Sequence, residues 1–401
     1  SKKNMTKVGF FLSSCFPDEY PGGKNYMINL FYSLSLLKNK KIELILFIGK
    51  KTPLKYEMDF KLYGKIVRTS LLDRKSLYWF IYKVFYRLFN SHIISYPIIK
   101  KYNISIMSHS DIYGTNLPFK TVNWVPDLQF LHLPYLWNEK GLKHQQKVFK
   151  ERLLLSNVSV NSSYDGEKDS LNYVPKATTS VIRPVYQVSE KIYSESDSTI
   201  SFLEEKYDFK GKYFYLPNQF WTHKNHMIVF KSLAILKAKG INVLLICSGL
   251  MDGADSEERG HRDYMESIHK YIDENNLKNN IRLLGLIDYE DVKKLGRNSI
   301  SIINPSFFEG WSTTVEEAKS IGKNVILSNL QIHIEQDPPG GIFFDPNNAE
   351  DLSEILEQKW ENSEGGPDYD LEEQARKILK SRTIDYAKKY HKMILNLHNK
   401  D

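Results

Sequence analysis

Two short segments of the second half carry residue types from which a reaction could be built. The first, residues 304–318, reads NPSFFEGWSTTVEEA: an apolar run ends at Asn304, a loop carries Glu309 and Gly310, and a helical pattern begins near Ser312 to Thr314. In a parallel α/β sheet, ligands sit beyond the carboxyl ends of the strands, where helix N-termini offer free N–H groups and a favourable dipole to an anion such as a diphosphate. Gly310 lets a ligand approach the backbone closely. Glu309 and Glu317 have seven residues between them, and each carboxylate can accept from two sugar hydroxyls at once. The same letters admit a plainer origin, because Thr313-x-x-Glu316 and Thr314-x-x-Glu317 both fit a capping box. The second segment, residues 216–226, reads LPNQFWTHKNH and puts Lys224 at the start of the next expected helix. A cation there can hold phosphate. Its bland alternative is a solvated helix-start lysine, with Trp221 as a core aromatic.

These groups need a scaffold, and the apolar periodicity supplies one. Residues 7–12, 41–48, 104–107, 121–125, 158–160 and 179–182 read as strands of a first half, with helical spacing at Met27, Leu30, Phe31, Leu34 and Leu37. Apolar content falls over residues 186–200, where Ser and Glu dominate, and this stretch reads as a linker. The alternation then resumes, with strands at 212–216, 241–247, 281–286, 300–304 and 325–327 and helices at 226–239 and 314–321 that stop at Gly240 and Gly322. Alternating strands and helices are the signature of a parallel sheet flanked by helices. The expected division is a first domain over 1–190 and a second over 191–382, with a helix at about 383–401 packing back on the first.

Length and composition bound the answer. At about 100–200 residues per domain, a chain of 401 residues makes two or three domains, and 41% hydrophobic with 26% charged residues is globular composition. No run approaches the about 20 apolar residues of a bilayer-spanning helix. Residues 8–16 have the length of a signal-peptide core, but no small-residue cleavage site follows, and a buried first strand accounts for them better. Cys15 and Cys247 lie far apart, which supports neither a disulfide framework nor a Cys-rich metal site and points to a reducing cytoplasm. Residues 1–190 carry 28 Lys and Arg against 14 Asp and Glu, and the remainder 27 against 34. That asymmetry suggests a first half that meets something anionic.

Taken together, the segments resemble the retaining, nucleotide-sugar-dependent glycosyltransferases of family 4. The resemblance runs through Glu309-x7-Glu317 within FFEGWSTTVEEA, Lys224-Asn225, LLICSGL with Gly249 at a strand end, LLGLIDYEDV, and the stretch 328–346 that ends in FFDP. It covers essentially all of 211–360 and, more loosely, the first half. It implies an α/β GT-B fold, two Rossmann-like domains with parallel sheets facing each other across a cleft, and a donor site in the second. Lys224 would neutralise the donor diphosphate, with Asn218 beside it. The amides of Gly310, Trp311, Ser312, Thr313 and Thr314 would hold sugar and phosphate oxygens. Glu317 would bind the ribose and Glu309 a sugar hydroxyl, and the backbone near Ile287 would face the base. Family members often carry an Arg where Asn218 stands, so either His223, His226 or Arg183 compensates or the phosphate contacts are weaker. In the first half, Gly22 and Gly23 form the Gly-rich loop that would lie beside the donor. In WVPDLQFLHLP, Pro126 replaces a frequent His; His132 takes the sugar-facing role and Asp127 an orienting one.

Two further segments carry weaker signals. Asp368-Tyr369-Asp370 spells a D-x-D pattern, but it follows Gly365-Gly366-Pro367 and reads as a surface loop. No other ligand cluster has metal spacing, so no metal or other cofactor is expected beyond the nucleotide-sugar substrate. The segment LYWFIYKVFYRLF, residues 77–89, is nearly all apolar with Lys83 and Arg87 interposed and suits either a helix lying in an anionic membrane surface or a buried helix with one wet stripe. The expected activity is transfer of a hexosyl or deoxyhexosyl unit to a glycan or lipid-linked glycan, with retention, in the cytoplasm or peripherally on a membrane, and without nucleic acid as a partner. The alternatives are a non-catalytic or degenerate sugar-nucleotide binder and another GT-B enzyme such as an epimerase.

Overall fold

Strands rich in Val, Ile, Leu and Phe, with almost every residue buried, form where both faces of a sheet are covered by helices. β2 shows this: in a computed structural model of the chain, which describes residues 5–12, 21–194, 197–251 and 261–400, all but one of its residues, Glu43, are buried. The first sheet contains β1 (Thr6–Phe11), β2 (Ile42–Gly49), β3 (Lys65–Thr69), β4 (Ile106–Ser108), β5 (Lys120–Val125), β6 (Val158–Asn161) and β7 (Thr179–Val181). They lie in the order β3-β2-β1-β4-β5-β6-β7, all parallel. The second sheet contains β8 (Phe214–Leu216), β9 (Leu245–Cys247), β10 (Ile281–Leu283), β11 (Ile302–Asn304), β12 (Val325–Ser328) and β13 (Ile342–Phe344), in the parallel order β10-β9-β8-β11-β12-β13. Both sheets step outward one way from their first strand and then reverse, as doubly wound nucleotide-binding sheets do. β3 and β13 escape the apolar-run reading, because Lys65 and Arg68 interrupt the first and Ile342–Phe344 is too short.

The chain gathers into two compact units. One comprises Ser1–Leu128, Lys143–Val185 and Ser381–Asp401; the other comprises Gln129–Leu142 and Tyr186–Lys380. The change-over falls between Val185 and Tyr186 rather than at 190/191, and the short segment Gln129–Leu142 groups with the C-terminal unit, against its expected place in the first. The last helix is continuous, Tyr369–His398, and contributes to both units.

The stretch expected to be a linker is packed instead. Tyr186 and Ile192 are buried, and the Asp197–Tyr207 helix begins within it. The Ser320 hydroxyl donates to the Tyr186 carbonyl at 2.5 Å. The Tyr193 hydroxyl donates to the carbonyls of Ser320 and Ile321 at 3.2 and 2.9 Å, satisfying groups that the C-terminus of the Thr313–Ile321 helix leaves open. The same helix closes on Gly322 at φ +89°, where a Cβ would stand 2.4 Å from the Glu372 backbone, so glycine alone fits. Glu372 in turn meets Arg297 through two bonds of 2.6 and 3.1 Å, and both side chains are buried.

Candidate active site

The residues singled out in the C-terminal unit converge on the reversal point of its sheet. β8 and β11 are neighbours there, and their carboxyl ends lead into residues 217–225 and 305–312 respectively. Asn225, in the left-handed region at φ +56°, ends the Thr222–Lys224 turn and opens the His226–Ala238 helix, and its amide donates to the carbonyls of Pro305 and Pro346. That anchor brings Lys224 to Glu309. The Lys224 Nζ donates to Glu309 Oε1 at 2.7 Å and Oε2 at 2.8 Å, with the two side chains 19% and 8% exposed. Oε1 also accepts from the Ser306 hydroxyl at 2.6 Å and the Asn304 amide at 3.2 Å. Burial would raise the Glu309 carboxyl, but the Lys224 charge and the Ser306 hydrogen bond outweigh it and hold the group at about 2. Lys224 keeps a third N–H, and Oε2 keeps acceptor capacity, so the pair can still bind an anion and a hydroxyl.

Asn218 stands where a phosphate-facing charge was expected to be missing, and its chemistry is directed inward. It is 4% exposed; its amide donates to Asn304 Oδ1 at 3.0 Å, and its own Oδ1 accepts from the Thr314 hydroxyl at 3.1 Å. It thereby ties the ends of β8 and β11 to the Thr313–Ile321 helix. His226 does not supply the missing charge. Burial pushes it down to about 3, so it is neutral; its Nε2–H faces the Asn218 carbonyl and its ring stacks on Phe220 at 4.0 Å. Arg183 lies over the Tyr164 ring in the N-terminal unit. His223 holds the Phe307 amide through its carbonyl.

The helix start excludes the capping-box origin of the two glutamates. Its N-cap is Ser312, whose hydroxyl accepts from the Val315 amide, so Thr313 and Thr314 are already helical. Glu316 is buried and pairs with Lys319 at 3.2 Å. Glu317, partly buried, accepts from the Tyr289 hydroxyl through Oε1, and burial raises its carboxyl above the ordinary range against the pull of Tyr289 and Lys293. Of the five amides expected to face a donor, that of Ser312 donates to Gln336 Oε1 at 3.2 Å, while those of Thr313 and Thr314 have no acceptor among the described residues. Gly310 and Trp311 complete the loop. Gly249 follows β9 at φ +144°, and a Cβ there would meet the Asn218 carbonyl oxygen at 2.4 Å, so this approach of two strand ends requires glycine. Ile287 packs against the C-terminal core beyond β10.

Sequence reasoning missed Ser306, Tyr289, His333 and Gln336. All four lie within the quoted segments, but nothing in their local spacing gives them a role, and Ser306, Tyr289 and Gln336 reach the site through hydrogen bonds that span 3 to 28 positions along the chain. His333 is fully buried, with Nδ1 2.8 Å from the Ser328 carbonyl. His132 is exposed, with its ring 5.2 Å from that of Phe308, both in the C-terminal unit. Gly22 and Gly23 occupy the first turn of the Pro21–Ser35 helix rather than a loop, and a Cβ on either would touch nothing. The helix begins at Pro21 because proline is pre-organised for a first helical turn. Asp127 follows β5 in the N-terminal unit. Cys15 lies outside the described residues, and Cys247 is buried in β9. Asp368 of the D-x-D pattern accepts from the Asn324 backbone and side-chain amides at 2.9 and 2.6 Å, a structural anchor rather than a free loop. Among the described residues no three His, Cys, Asp or Glu side chains are grouped to hold a metal ion.

Residues 200–395, which contain this whole constellation, match the model of the protein family described as glycosyl transferases group 1. That stretch, just under half of the chain, is similar to the group 1 glycosyl transferases. A curated relative, the O-antigen chain mannosyltransferase RfbU of Salmonella typhimurium, is 24% identical over 169 residues, 41% of this chain and 44% of the relative. Sucrose synthase of Acidithiobacillus caldus is 28% identical over 143 residues, 34% of this chain and 18% of that protein. The match therefore spans less than half the length of either relative. The crystal structure of Anabaena Alr3699/HepE in complex with UDP and glucose has a TM-score of 0.66 at 14% identity, covering 97% of this chain and 99% of that one. At that identity the likeness establishes the fold alone, two parallel-sheet α/β Rossmann-like units of the GT-B kind.

Proposed function

We propose that the chain is a retaining transferase of family 4 that moves a hexosyl or deoxyhexosyl unit from a nucleoside diphosphate sugar to a glycan or lipid-linked glycan. The observation that carries the reading is the Lys224–Glu309 contact at the reversal point of the second sheet, beside a helix N-terminus with two unengaged amides. Lys224 and the helix dipole would stabilise charge building on the departing diphosphate, and Glu309 Oε2 would accept a hydroxyl of the transferred sugar. Glu317 would accept a ribose hydroxyl. No carboxylate is assigned as a covalent nucleophile, so the reading is a front-face route. The bond from the anomeric carbon to the diphosphate oxygen breaks, the acceptor oxygen bonds to the same face, and the acceptor proton passes to the leaving diphosphate. His132 would meet the sugar, with Asp127 orienting the strand end that precedes it and Gly22 and Gly23 approaching the donor. Charge neutralisation rests on side chains and dipoles, and the proposal includes no metal.

Incubation with a panel of nucleotide sugars should release one nucleoside diphosphate. Glu317→Ala should raise the donor KM about tenfold or more, the cost of one or two charge-assisted hydrogen bonds. Nucleotide binding without release from any donor would favour a binding protein instead.

The peripheral-membrane reading draws on the Leu77–Phe89 helix, which buries none of its residues and exposes Leu77, Phe80, Ile81, Val84 and Leu88 beside Lys83 and Arg87. No helix among the described residues is long and apolar enough to cross a membrane. Such a face suits the surface of an anionic bilayer. Leu88→Glu should lower binding to anionic phospholipid vesicles about tenfold, because it removes an apolar insertion and adds repulsion; unchanged cosedimentation would refute this placement.

A further inference from the structure

Tyr289 opens the Tyr289–Asn298 helix that follows β10, and its hydroxyl donates to Glu317 Oε1. The chain leading to it is fixed at the strand ends: Gly285 turns at φ +70°, and its carbonyl accepts from the Gly249 amide at 2.8 Å. Lys293, one turn into the same helix, lies over the Tyr289 ring at 4.1 Å and meets Glu290 at 3.4 Å. A cation held over one face of the ring restrains the phenol. Tyr289 is 41% exposed overall and Glu317 is partly buried, so both side chains keep part of their surface open.

Hydrogen-bond capacity decides what this pair can take. Among the described residues Tyr289 is the only hydrogen-bond donor to Glu317. Burial of its hydroxyl end and the Glu317 charge raise the phenol above its ordinary range, so it keeps its proton and donates. Tyr186 and Tyr215 lie near Glu317 as well, but burial holds both phenols neutral, and the Tyr215 hydroxyl is shared with Ser248 at 2.6 Å. An ionised carboxylate only accepts, and a phenol whose proton is engaged offers only its lone pairs. Glu317 Oε2 and the Tyr289 oxygen are therefore two adjacent acceptors to which no described residue donates. Giving up its proton to a hydrogen bond also makes the phenol oxygen a better acceptor, because linked hydrogen bonds polarise one another.

Two neighbouring acceptors match two neighbouring hydroxyls. Glu317 follows Thr313 by four positions and shares a helix face with it. The unengaged amides of Thr313 and Thr314 thus lie one turn, about 5.4 Å, before the acceptor pair. A nucleoside diphosphate with a complete ribose carries an anion for the first position and a vicinal diol for the second. A 2′-deoxyribonucleotide lacks one of those hydroxyls and leaves one acceptor of the pair without a donor, which is costly wherever the ligand also keeps water out.

We propose that Tyr289 determines the class of donor: with Glu317 it selects a ribonucleoside diphosphate sugar over a 2′-deoxyribonucleoside one, one ribose hydroxyl donating to Glu317 Oε2 and its neighbour to the Tyr289 oxygen. The inference rests on the reading of Glu317 as the ribose ligand and narrows it by naming the nucleoside that fits. Lys293 acts through Tyr289, as a positioning residue that holds the ring in place.

The test titrates the full chain with UDP, GDP, ADP and CDP, and then with the 2′-deoxy and 3′-deoxy forms of the nucleotide that binds best. The wild type should bind each deoxy form about tenfold or more weakly than the parent nucleotide, because one acceptor loses its donor. Tyr289→Phe keeps the ring and removes only the phenol oxygen. It should weaken binding of the parent nucleotide about tenfold and bind one deoxy form as tightly as the wild type does, since that form lacks the hydroxyl Tyr289 meets. Such a cycle isolates the single contact from any general effect of the substitution. Equal binding of the parent and 2′-deoxy nucleotides by the wild type would overturn the proposal, whether or not the variant folds. So would an unchanged affinity, or an equal loss toward all three nucleotides, in a Tyr289→Phe protein that melts as the wild type does. Failure of the wild type to bind any of the four nucleotides, or wild-type binding of all three forms by Glu317→Ala, would strike the parent reading instead.

Discussion

Lys224→Ala is expected to slow sugar transfer by about 10²–10³-fold, the usual consequence of removing one preorganised group from developing charge. The effect should fall mainly on kcat, because charge on the diphosphate grows as its bond to the sugar breaks. Stability should respond too, since Glu309 would stay buried with only Ser306 and Asn304 on its carboxylate. The pH dependence separates the two effects. In the wild type the Glu309 carboxyl lies at about 2 against an ordinary 4.5. The folded state therefore holds that proton less tightly than the unfolded chain. Its contribution, on the order of 3 kcal/mol, is fully present above the ordinary value and is lost as pH falls from there toward the folded one. In Lys224→Ala burial prevails, the carboxyl rises, and the contribution changes sign. Melting temperature followed from about pH 3 to about pH 7 should climb in the wild type and climb less, or fall, in the variant. Parallel curves would show that Lys224 is not what keeps Glu309 ionised, and wild-type turnover would remove Lys224 from the chemistry.

Glu372→Ala should cost about 3–5 kcal/mol of stability, because it leaves the Arg297 guanidinium buried without its carboxylate. For a unit of this size that lowers the melting temperature by about 10 °C. The position also seats the last helix, which abuts Gly322 and the end of the Thr313–Ile321 helix. Joint replacement, Arg297→Met with Glu372→Leu, should recover most of the loss, since an apolar pair of similar volume avoids the desolvation penalty. A single variant as stable as wild type, by thermal or urea unfolding, would mean that water reaches Arg297.

Some of the site was legible because it is local. Strand, glycine-bearing loop and helix start follow one another within residues 304–318, and apolar spacing places each. The two origins allowed for the glutamates were separable only by geometry. Which residue caps the helix depends on one backbone turn, and Ser312 takes that role ahead of Thr313 and Thr314. Likewise, an Asn in place of a charged residue says nothing of direction, and Asn218 proves to bind Asn304 and Thr314. The 77–89 segment had two readings of equal chemistry. Its burial depended on what packs against it, and only Tyr78, Tyr82 and their neighbours find a core.

By itself the sequence determined the alternation of elements, the two halves, and the kinds of side chain at the strand ends, because periodicity and turn chemistry act over a few residues. Strand order was beyond it: β8 lies beside β11 rather than beside β9 alone, and that adjacency brings Lys224 to Glu309 across 85 positions. The same adjacency in the other sheet brings β1 to β4. Local propensity carries no information about which distant strands share hydrogen bonds, whereas burial of both sheet faces selects one order. Tertiary packing therefore decided which charges meet, which are neutralised and which remain available to a ligand.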